Sequence, residues 1–217
     1  MKSFLVIGMG RFGQHMVRKF SELGCEVMAV DTREDRIRTV MQVATSVEIG
    51  DCTKDSVLST LGVDNYDACF VCVGNDFQSS LVITDMLKEM GAQRVISRAS
   101  RDIQAKFLLR NGADEVIYPE RDFAERLAVR CAKSKVYDYM ELTKEVSVYE
   151  IATLPGWVGK TIRELNFRVE YKVSILAVKK PGETIPLPGA DYVFDGTEHL
   201  MVFGRDKDVD RIVKNLR

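Results

Sequence analysis

The sequence predicts an α/β fold, a doubly wound parallel sheet, followed by a smaller α+β domain. An apolar segment at residues 4–7 leads directly into the glycine pattern GxGxxG at residues 8–13. A second apolar segment ends in Asp31, a carboxylate about twenty residues after the glycines. From Glu145 onward, short strand-like segments separated by turns replace the regular alternation of strands and helices. These three observations together predict the two-domain architecture.

The glycine pattern indicates a Rossmann-like nucleotide site. Gly8 permits a tight turn, Gly10 allows a phosphate chain to approach the backbone, and Gly13 allows the following helix to pack closely on the strand. The N-terminus of that helix then faces the anion. Arg11 and Phe12 occupy the two variable positions between Gly10 and Gly13. The Arg11 guanidinium can pair bidentately with phosphate oxygens. A solvated arginine at a helix start is the alternative interpretation of Arg11.

Six strand-like segments alternate with helical patterns over residues 1–120. The strands are predicted at 4–7, 26–30, 46–49, 68–73, 94–97 and 115–118. Apolar residues at helical spacing predict helices at 14–23, 33–43, 56–61, 78–90 and 103–110. Alternation of this kind implies a parallel sheet covered on both faces, so residues 1–120 are predicted to form one nucleotide-binding domain.

The remaining chain is predicted to form a connector and a second domain. Residues 121–142 are amphipathic and are predicted to form one crossover helix. In residues 143–217, strands are predicted at 146–151, 173–178 and 200–203, and a closing helix at 206–216. Thr161 and Glu164 have the spacing of a capping box that opens a short helix. A domain of about 75 residues is marginal alone, so we expect it to pack against a second copy.

Composition excludes several classes of function. The chain has 217 residues, with 31 Lys plus Arg against 32 Asp plus Glu, and it lacks the basic surplus that would attract nucleic acid. No segment approaches the roughly 20 apolar residues of a membrane span, and a secretory signal region is not recognisable, so we expect a cytoplasmic protein. Cys69 and Cys72 lie three apart on one predicted strand and point to opposite faces. They are interpreted as buried apolar thiols rather than a redox or zinc pair.

Polar residues follow several predicted strands at the edge where a nucleotide would bind. Asp31 is predicted to hold ribose hydroxyls, with Thr32 and Arg33 beside it, although a capping role for Asp31 is the alternative. Asp51 and Cys52 follow the third strand near the expected adenine, and Asp51 is equally suited to cap a helix.

The fourth, fifth and sixth strands end in further candidates. Gly74, Asn75 and Asp76 follow the fourth strand and are predicted to line the pocket. Arg98 ends the fifth strand and either reaches a phosphate or forms a surface salt bridge. Glu120 follows the sixth strand and by itself is an ordinary acid at a helix start.

Five segments together resemble the RCK family, whose members regulate potassium conductance; these are residues 7–13, 30–31, 50–53, 112–120 and 154–165. The resemblance covers nearly the whole chain and is closest to the stand-alone Ktr- or Trk-type cytoplasmic subunits. It implies homodimers that assemble into a ring, typically octameric, beneath a separate membrane potassium channel or transporter subunit. It also implies that ATP or ADP selects the shape of the ring, and that the protein is a regulator and not an enzyme.

The resemblance assigns roles to individual residues. It implies that Arg11 reads phosphate, Asp31 binds ribose, Asp51 and Cys52 contact adenine, Arg98 lies near the phosphates, and Glu120 holds a divalent or monovalent cation across a dimer. Some relatives bind cyclic di-AMP in their C-terminal domains, and the comparable region here contains Ile162, Asn166, Arg168 and Tyr171, for which dimer packing is the alternative.

Two other functions share the predicted fold. An NAD(H)-binding redox-sensing regulator differs from the first interpretation only in its ligand. An NAD-dependent oxidoreductase would also have the glycine pattern and Asp31, but the remaining chain has no evident catalytic acid or base where substrate would meet nicotinamide.

Overall fold

The computed structural model describes residues 1–74, 76–133 and 135–214. The chain divides into an N-terminal unit, Met1–Arg121, and a C-terminal unit, Asp122–Arg217. Asn75, a predicted pocket residue, and the last two residues of the predicted closing helix lie outside the described residues.

The described part of the N-terminal unit contains one six-stranded parallel sheet. Its strands are β1 Ser3–Ile7, β2 Glu26–Asp31, β3 Ser46–Ile49, β4 Ala68–Val71, β5 Val95–Arg98 and β6 Glu115–Ile117. The connecting helices are α1 Arg11–Glu22, α2 Glu34–Arg38, α3 Asp55–Leu58, α4 Phe77–Glu89 and α5 Asp102–Arg110. The strand order is β3-β2-β1-β4-β5-β6, which confirms the predicted Rossmann-like fold.

Each face of this sheet is covered by its own hydrophobic core. Leu5 and Cys69 belong to one cluster, whereas Val6 and Cys72 belong to another. This division follows from the alternation of side chains along β1 and β4. Burial raises the pKa of the Cys69 thiol and of the Cys72 thiol to about 12. The structure thus confirms that the two sulfurs are buried on opposite faces.

The C-terminal unit is built around a five-stranded antiparallel sheet of order β10-β9-β11-β8-β7. The strands are β7 Val136–Thr143, β8 Val146–Ala152, β9 Val173–Lys180, β10 Glu183–Pro186 and β11 His199–Arg205. The helices from the connector onward are α6 Pro119–Ala132, α7 Ile162–Leu165, α8 Phe167–Glu170 and α9 Asp206–Lys214. Trp157, Tyr149 and Phe194 are the largest fully buried side chains of its core. The predicted α+β class of this unit is confirmed.

The predicted crossover helix at 121–142 was too long. Helix α6 ends at Ala132, and the chain then forms β7 at the edge of the antiparallel sheet. In β7, Tyr139 lies opposite Tyr149 of β8 and packs against the core. Pairing with a strand that follows in the sequence therefore overrides the local helical pattern. The predicted helix at 33–43 is likewise shorter, because α2 ends at Arg38 and turns follow.

Helix length and apolarity also bear on membrane insertion. Within the part of the chain that the structure describes, no helix combines the length and the apolar character that crossing a membrane requires.

Candidate functional site

The candidate site lies at the carboxyl edge of the parallel sheet, where β1 and β4 are neighbours. From β1 the chain proceeds outward through β2 and β3, whereas β4, β5 and β6 extend in the other direction. Ligands of open α/β sheets bind at such a reversal of strand order. The loop from β1 to α1 therefore lies at the expected binding position.

Two glycines of this loop are required by close backbone contacts. Gly8 has a φ of +98°, and a Cβ there would lie 3.0 Å from the Cys72 carbonyl carbon and 3.0 Å from the Val73 nitrogen. A Cβ at Gly13 would lie 2.0 Å from the Gly8 carbonyl oxygen. A Cβ at Gly10 would have no other atom within 4 Å. The loop is consequently tight at Gly8 and Gly13 and open at Gly10.

Helix α1 presents its N-terminus at the open part of the loop. Gly10 is the N-cap residue, and within the described residues no side chain caps this end and no acidic residue lies in the first turn. The first backbone N–H groups of a helix lack intrahelical acceptors, and the helix dipole makes this end electropositive. Arg11 is exposed at the first position of α1 and adds a positive charge. The arrangement suits a phosphate group.

Asp31 is buried beside the glycine loop and is 6% exposed. Its Oδ2 accepts a hydrogen bond from the Met9 backbone N–H at 2.6 Å, and its Oδ1 accepts one from the Arg33 backbone N–H at 2.9 Å. The Arg36 guanidinium lies 3.5 Å away. Because a carboxylate has about four acceptor positions and these three donors use three of them, Asp31 can hold the loop and keep about one position for a ribose hydroxyl.

A side chain of α1 supports the same loop. Gln14 donates from Nε2 to the Met9 carbonyl oxygen at 3.0 Å. Met9 is thus held through both its N–H and its carbonyl group. No sequence motif indicates a role for Met9 or Gln14, because such contacts depend on the loop conformation.

The residues predicted near ribose and adenine make mainly local contacts. Asp51 accepts hydrogen bonds from the Thr53 hydroxyl at 2.7 Å and the Thr53 backbone N–H at 3.1 Å, and these bonds lower the pKa of Asp51. Cys52 is buried, which raises the pKa of its thiol to about 12. Thr32 is exposed, and the Arg33 guanidinium pairs with Asp35 at 2.7 Å. Asp51 therefore stabilises a local turn with Thr53 and does not cap α3, whose N-cap residue is Lys54. Its contact with adenine stays a prediction.

The residues that follow β4 include a helix cap. The Asp76 side chain accepts hydrogen bonds from the Ser79 hydroxyl at 2.6 Å and the Ser79 backbone N–H at 3.1 Å. These bonds lower the pKa of Asp76 and cap the N-terminus of α4. Gly74 is exposed at the same edge.

Arg98 and Glu120 form an ion pair at the carboxyl ends of β5 and β6. The Arg98 guanidinium donates a hydrogen bond to Glu120 and is also packed against Gly74. The side chain of Arg98 is 19% exposed, whereas that of Glu120 is 64% exposed. Among the residues described, no group of three or more His, Cys, Asp or Glu side chains is arranged to hold a metal ion. The cation at Glu120 stays a prediction.

The four residues predicted to form a second effector site have different environments. Ile162 packs against the core, and the Tyr171 hydroxyl accepts a hydrogen bond from Trp157 Nε1 at 2.8 Å. Asn166 has a φ of 45° and links α7 to α8. Arg168 lines a cavity of about 370 Å³ that no sequence pattern indicates. Of the four, Arg168 alone lines that cavity, whose described lining also includes Lys172, Phe203 and Arg205.

Comparison with known proteins identifies both units. The TrkA-N domain family matches residues 4–119, and the TrkA-C domain family matches residues 146–217. Ktr system potassium uptake protein C of Bacillus subtilis (strain 168) is 38% identical over 215 residues, covering 99% of this chain and 97% of that protein. Ktr system potassium uptake protein A of the same organism is 31% identical over 210 residues, covering 97% of this chain and 95% of that protein.

A solved structure shows the same fold. The GsuK channel bound to NAD has a TM-score of 0.68 and 18% identity, and the match covers 99% of this chain and 38% of that chain. The domain matches and the two Ktr relatives extend over nearly the full length of this chain. The chain therefore belongs to the RCK family, in its Ktr type of potassium uptake proteins, with a TrkA-N domain followed by a TrkA-C domain.

Proposed function

We propose that this chain is the cytoplasmic, nucleotide-sensing regulatory subunit of a potassium uptake system. It binds ATP or ADP at the carboxyl edge of the parallel sheet and acts as a regulator rather than an enzyme. Homodimers assemble into a ring, an octamer, at the inner face of the cell membrane. A conformational change of the ring gates a separate membrane subunit that translocates potassium.

The observation that carries this proposal is the phosphate-binding loop. Gly10 leaves the backbone open, α1 directs its electropositive end to the same place, and Asp31 fixes the loop through Met9. These features suit an adenosine nucleotide with a charged phosphate chain. The Ktr relatives, which are named as potassium uptake proteins, support the physiological role. Membership of the family supports the ring and the membrane partner as parts of the proposal.

The energetics of such a switch are modest for each site. Moving a two-state ring from 1:99 to 99:1 requires about 5.5 kcal/mol of differential binding energy. Shared among eight identical sites, this is less than about 1 kcal/mol for each site. One charge-assisted hydrogen bond to a phosphate contributes roughly 1.5 to 3 kcal/mol. A single additional contact to the terminal phosphate is therefore sufficient at each site.

Titration of the purified protein with ATP, ADP, NAD and NADH tests the proposal, with affinity and assembly size measured together. We expect ATP and ADP to bind and to produce different assembly shapes. Arg11→Ala should reduce discrimination between ATP and ADP, since Arg11 is exposed at the first position of α1, beside the proposed phosphate site. Lys19→Ala is the matched control, because Lys19 lies in the last turn of α1 and pairs with Glu22 at the surface. Unchanged discrimination in Arg11→Ala would refute the assignment of Arg11.

An NAD(H)-sensing regulator is the second candidate. The loop and Asp31 would accept the adenosine half of NAD equally well. The NAD-bound GsuK channel, which shares the fold, favours this candidate. Tight NADH binding together with indifference to ATP and ADP would establish it in place of the first. Substrate-dependent turnover of NADH would instead indicate an NAD-dependent oxidoreductase.

A further inference from the structure

Arg98 occupies the half of the crevice in which a dinucleotide would place its second nucleotide. A doubly wound sheet offers two mononucleotide-binding halves that meet at the reversal of strand order. Here the adenosine half belongs to β1, β2 and β3, and the second half belongs to β4, β5 and β6. Arg98 is the last residue of β5 and therefore lies at the carboxyl edge of the second half.

The guanidinium of Arg98 lies against Gly74, three residues after β4 ends. A Cβ added to Gly74 would lie 2.2 Å from Arg98 Nη1 and 2.9 Å from Arg98 Cζ. The guanidinium thus lies directly against the Gly74 backbone, where any larger residue would displace it. Its hydrogen bond to Glu120 holds the other side of the group in place. Arg98 thus contacts the segment that follows β4 and the start of α6.

A small cavity lies beside Arg98. The cavity lined by Val73, Phe77, Ser80, Arg98 and Gln104, together with neighbouring residues, has a volume of about 10 Å³. This is close to the space required for one water molecule. Ligand pockets typically have volumes of roughly 300 to 1,000 Å³. At the phosphate loop, a Cβ at Gly10 would have no other atom within 4 Å.

We propose that Arg98, packed on Gly74, fills the second half-site and makes this protein selective for adenosine mononucleotides over NAD and NADH. The proposal rests on the proposed function, because it requires an adenosine nucleotide at the loop. It specifies the ligand class of that site. The adenosine group and its phosphates occupy the open half, and the guanidinium excludes the ribose and nicotinamide that NAD adds.

Two substitutions separate the volume of Arg98 from its charge. Arg98→Ala removes both the volume and the charge, whereas Arg98→Met keeps a long side chain and removes the charge. Arg94→Ala is the matched control, since Arg94 pairs with Glu115 at 2.5 Å and directly precedes β5 at its opposite end. All variants are made in the full chain, and their thermal unfolding is compared with that of the wild type.

The readout is the equilibrium affinity for ADP, ADP-ribose and NAD. In the wild type, we expect ADP to bind more tightly than ADP-ribose or NAD. In Arg98→Ala, NAD affinity should rise by about tenfold, the gain typical of admitting a group to a fitted pocket. Arg98→Met keeps part of the volume but loses the hydrogen bond to Glu120, so NAD affinity should rise less than in Arg98→Ala. Arg94→Ala should leave NAD affinity within about twofold of the wild type. Arg98→Ser opens the same space with a polar side chain and replaces Arg98→Ala if that variant unfolds.

Three results would overturn the inference. Wild-type protein that binds NAD as tightly as ADP would show that the second half-site is open. Equal NAD affinity in Arg98→Ala and Arg98→Met would show that the volume of Arg98 excludes nothing. If the wild type bound no adenosine nucleotide at all, the proposed function itself would be wrong, and the inference would be refuted with it.

Discussion

The Asp31 carboxylate accepts a hydrogen bond from the backbone N–H of Met9 at 2.6 Å. The residue predicted to bind ribose is therefore bonded directly to the loop predicted to bind phosphate. Strand β2 and the loop after β1 are coupled at this point, and a change at Asp31 affects both parts of the site.

Asp31→Ala should destabilise the protein by about 3 kcal/mol, since two N–H donors would lose their acceptor and each unsatisfied buried donor costs about 1 to 3 kcal/mol. Urea unfolding measures this change. Asp76→Ala is the control: it removes an exposed helix cap and should cost only about 1 kcal/mol. Equal losses of unfolding free energy in the two variants would show that the buried hydrogen bond to Met9 contributes no more stability than an exposed helix cap.

Gly13→Ala should mainly lower stability, whereas Gly10→Ala should mainly lower nucleotide affinity. The Gly13 variant should lose about 3 kcal/mol of stability or more, because its Cβ would lie 2.0 Å from the Gly8 oxygen. The Gly10 variant should stay within about 0.5 kcal/mol of the wild type, since its Cβ meets open space and its φ of −67° suits alanine. Its ADP affinity should nevertheless fall by about tenfold or more, because the methyl group blocks the phosphate.

Denaturation curves and ADP titrations of Gly13→Ala and Gly10→Ala measure the predicted changes in stability and affinity. A folded Gly10→Ala protein that binds ADP normally would contradict the position assigned to the phosphate chain. A Gly13→Ala protein as stable as the wild type would contradict the close packing of α1 on the loop.

Thiol labelling should distinguish the cysteines by burial. Cys131 is exposed and should react rapidly with an aromatic disulfide reagent in the native protein. Cys52, Cys69 and Cys72 should react only on unfolding, since burial raises the pKa of each thiol to about 12 and blocks access. Mass spectrometry of labelled peptides identifies the reacting residues. Fast labelling of Cys72, or a disulfide between Cys69 and Cys72, would contradict the structure.

Glu198 should make stability depend on pH. Burial, followed by the nearby Asp195 carboxylate, raises the pKa of Glu198. Folding therefore favours the protonated form, and this contribution is complete below the pKa of the unfolded state. It is lost as pH rises through the higher pKa of the folded state, so the unfolding free energy should fall over that range.

Glu198→Gln should remove this dependence and stabilise the protein at neutral pH, because glutamine is neutral and its carbonyl can still accept from the Asp195 backbone N–H. Urea unfolding of the full chain from pH 4 to pH 8 measures the slope. Glu183→Gln, on exposed β10, is the control and should keep the wild-type slope. A Glu198→Gln slope equal to that of the wild type would refute this prediction.

Features that depend on neighbouring residues in the chain were predictable from the sequence. The capping box is present, with Glu164 N–H donating to Thr161 Oγ1 at 3.1 Å and Thr161 N–H donating to Glu164 Oε2 at 2.7 Å. The order of strands and helices in the N-terminal unit followed from apolar periodicity and glycine positions.

Features that depend on distant partners were not predictable in the same way. Strand β7 exists because β8 pairs with it, and its own sequence had suggested a helix. The sequence placed Arg98 and Glu120 at one edge of the sheet, but the choice of a mutual ion pair depends on side-chain conformation. The same holds for Asp51, whose local turn with Thr53 depends on its side-chain conformation.

The contact between Gly74 and Arg98 also constrains how this protein can diverge. No side chain at position 74 can coexist with the guanidinium at its present place, because even a methyl carbon would lie 2.2 Å from Nη1. A larger residue at position 74 therefore requires the Arg98 guanidinium to move or to be replaced. Lineages that keep arginine at position 98 in this conformation should retain glycine at 74, and those that gain a larger residue at 74 should have a displaced or a different side chain at 98.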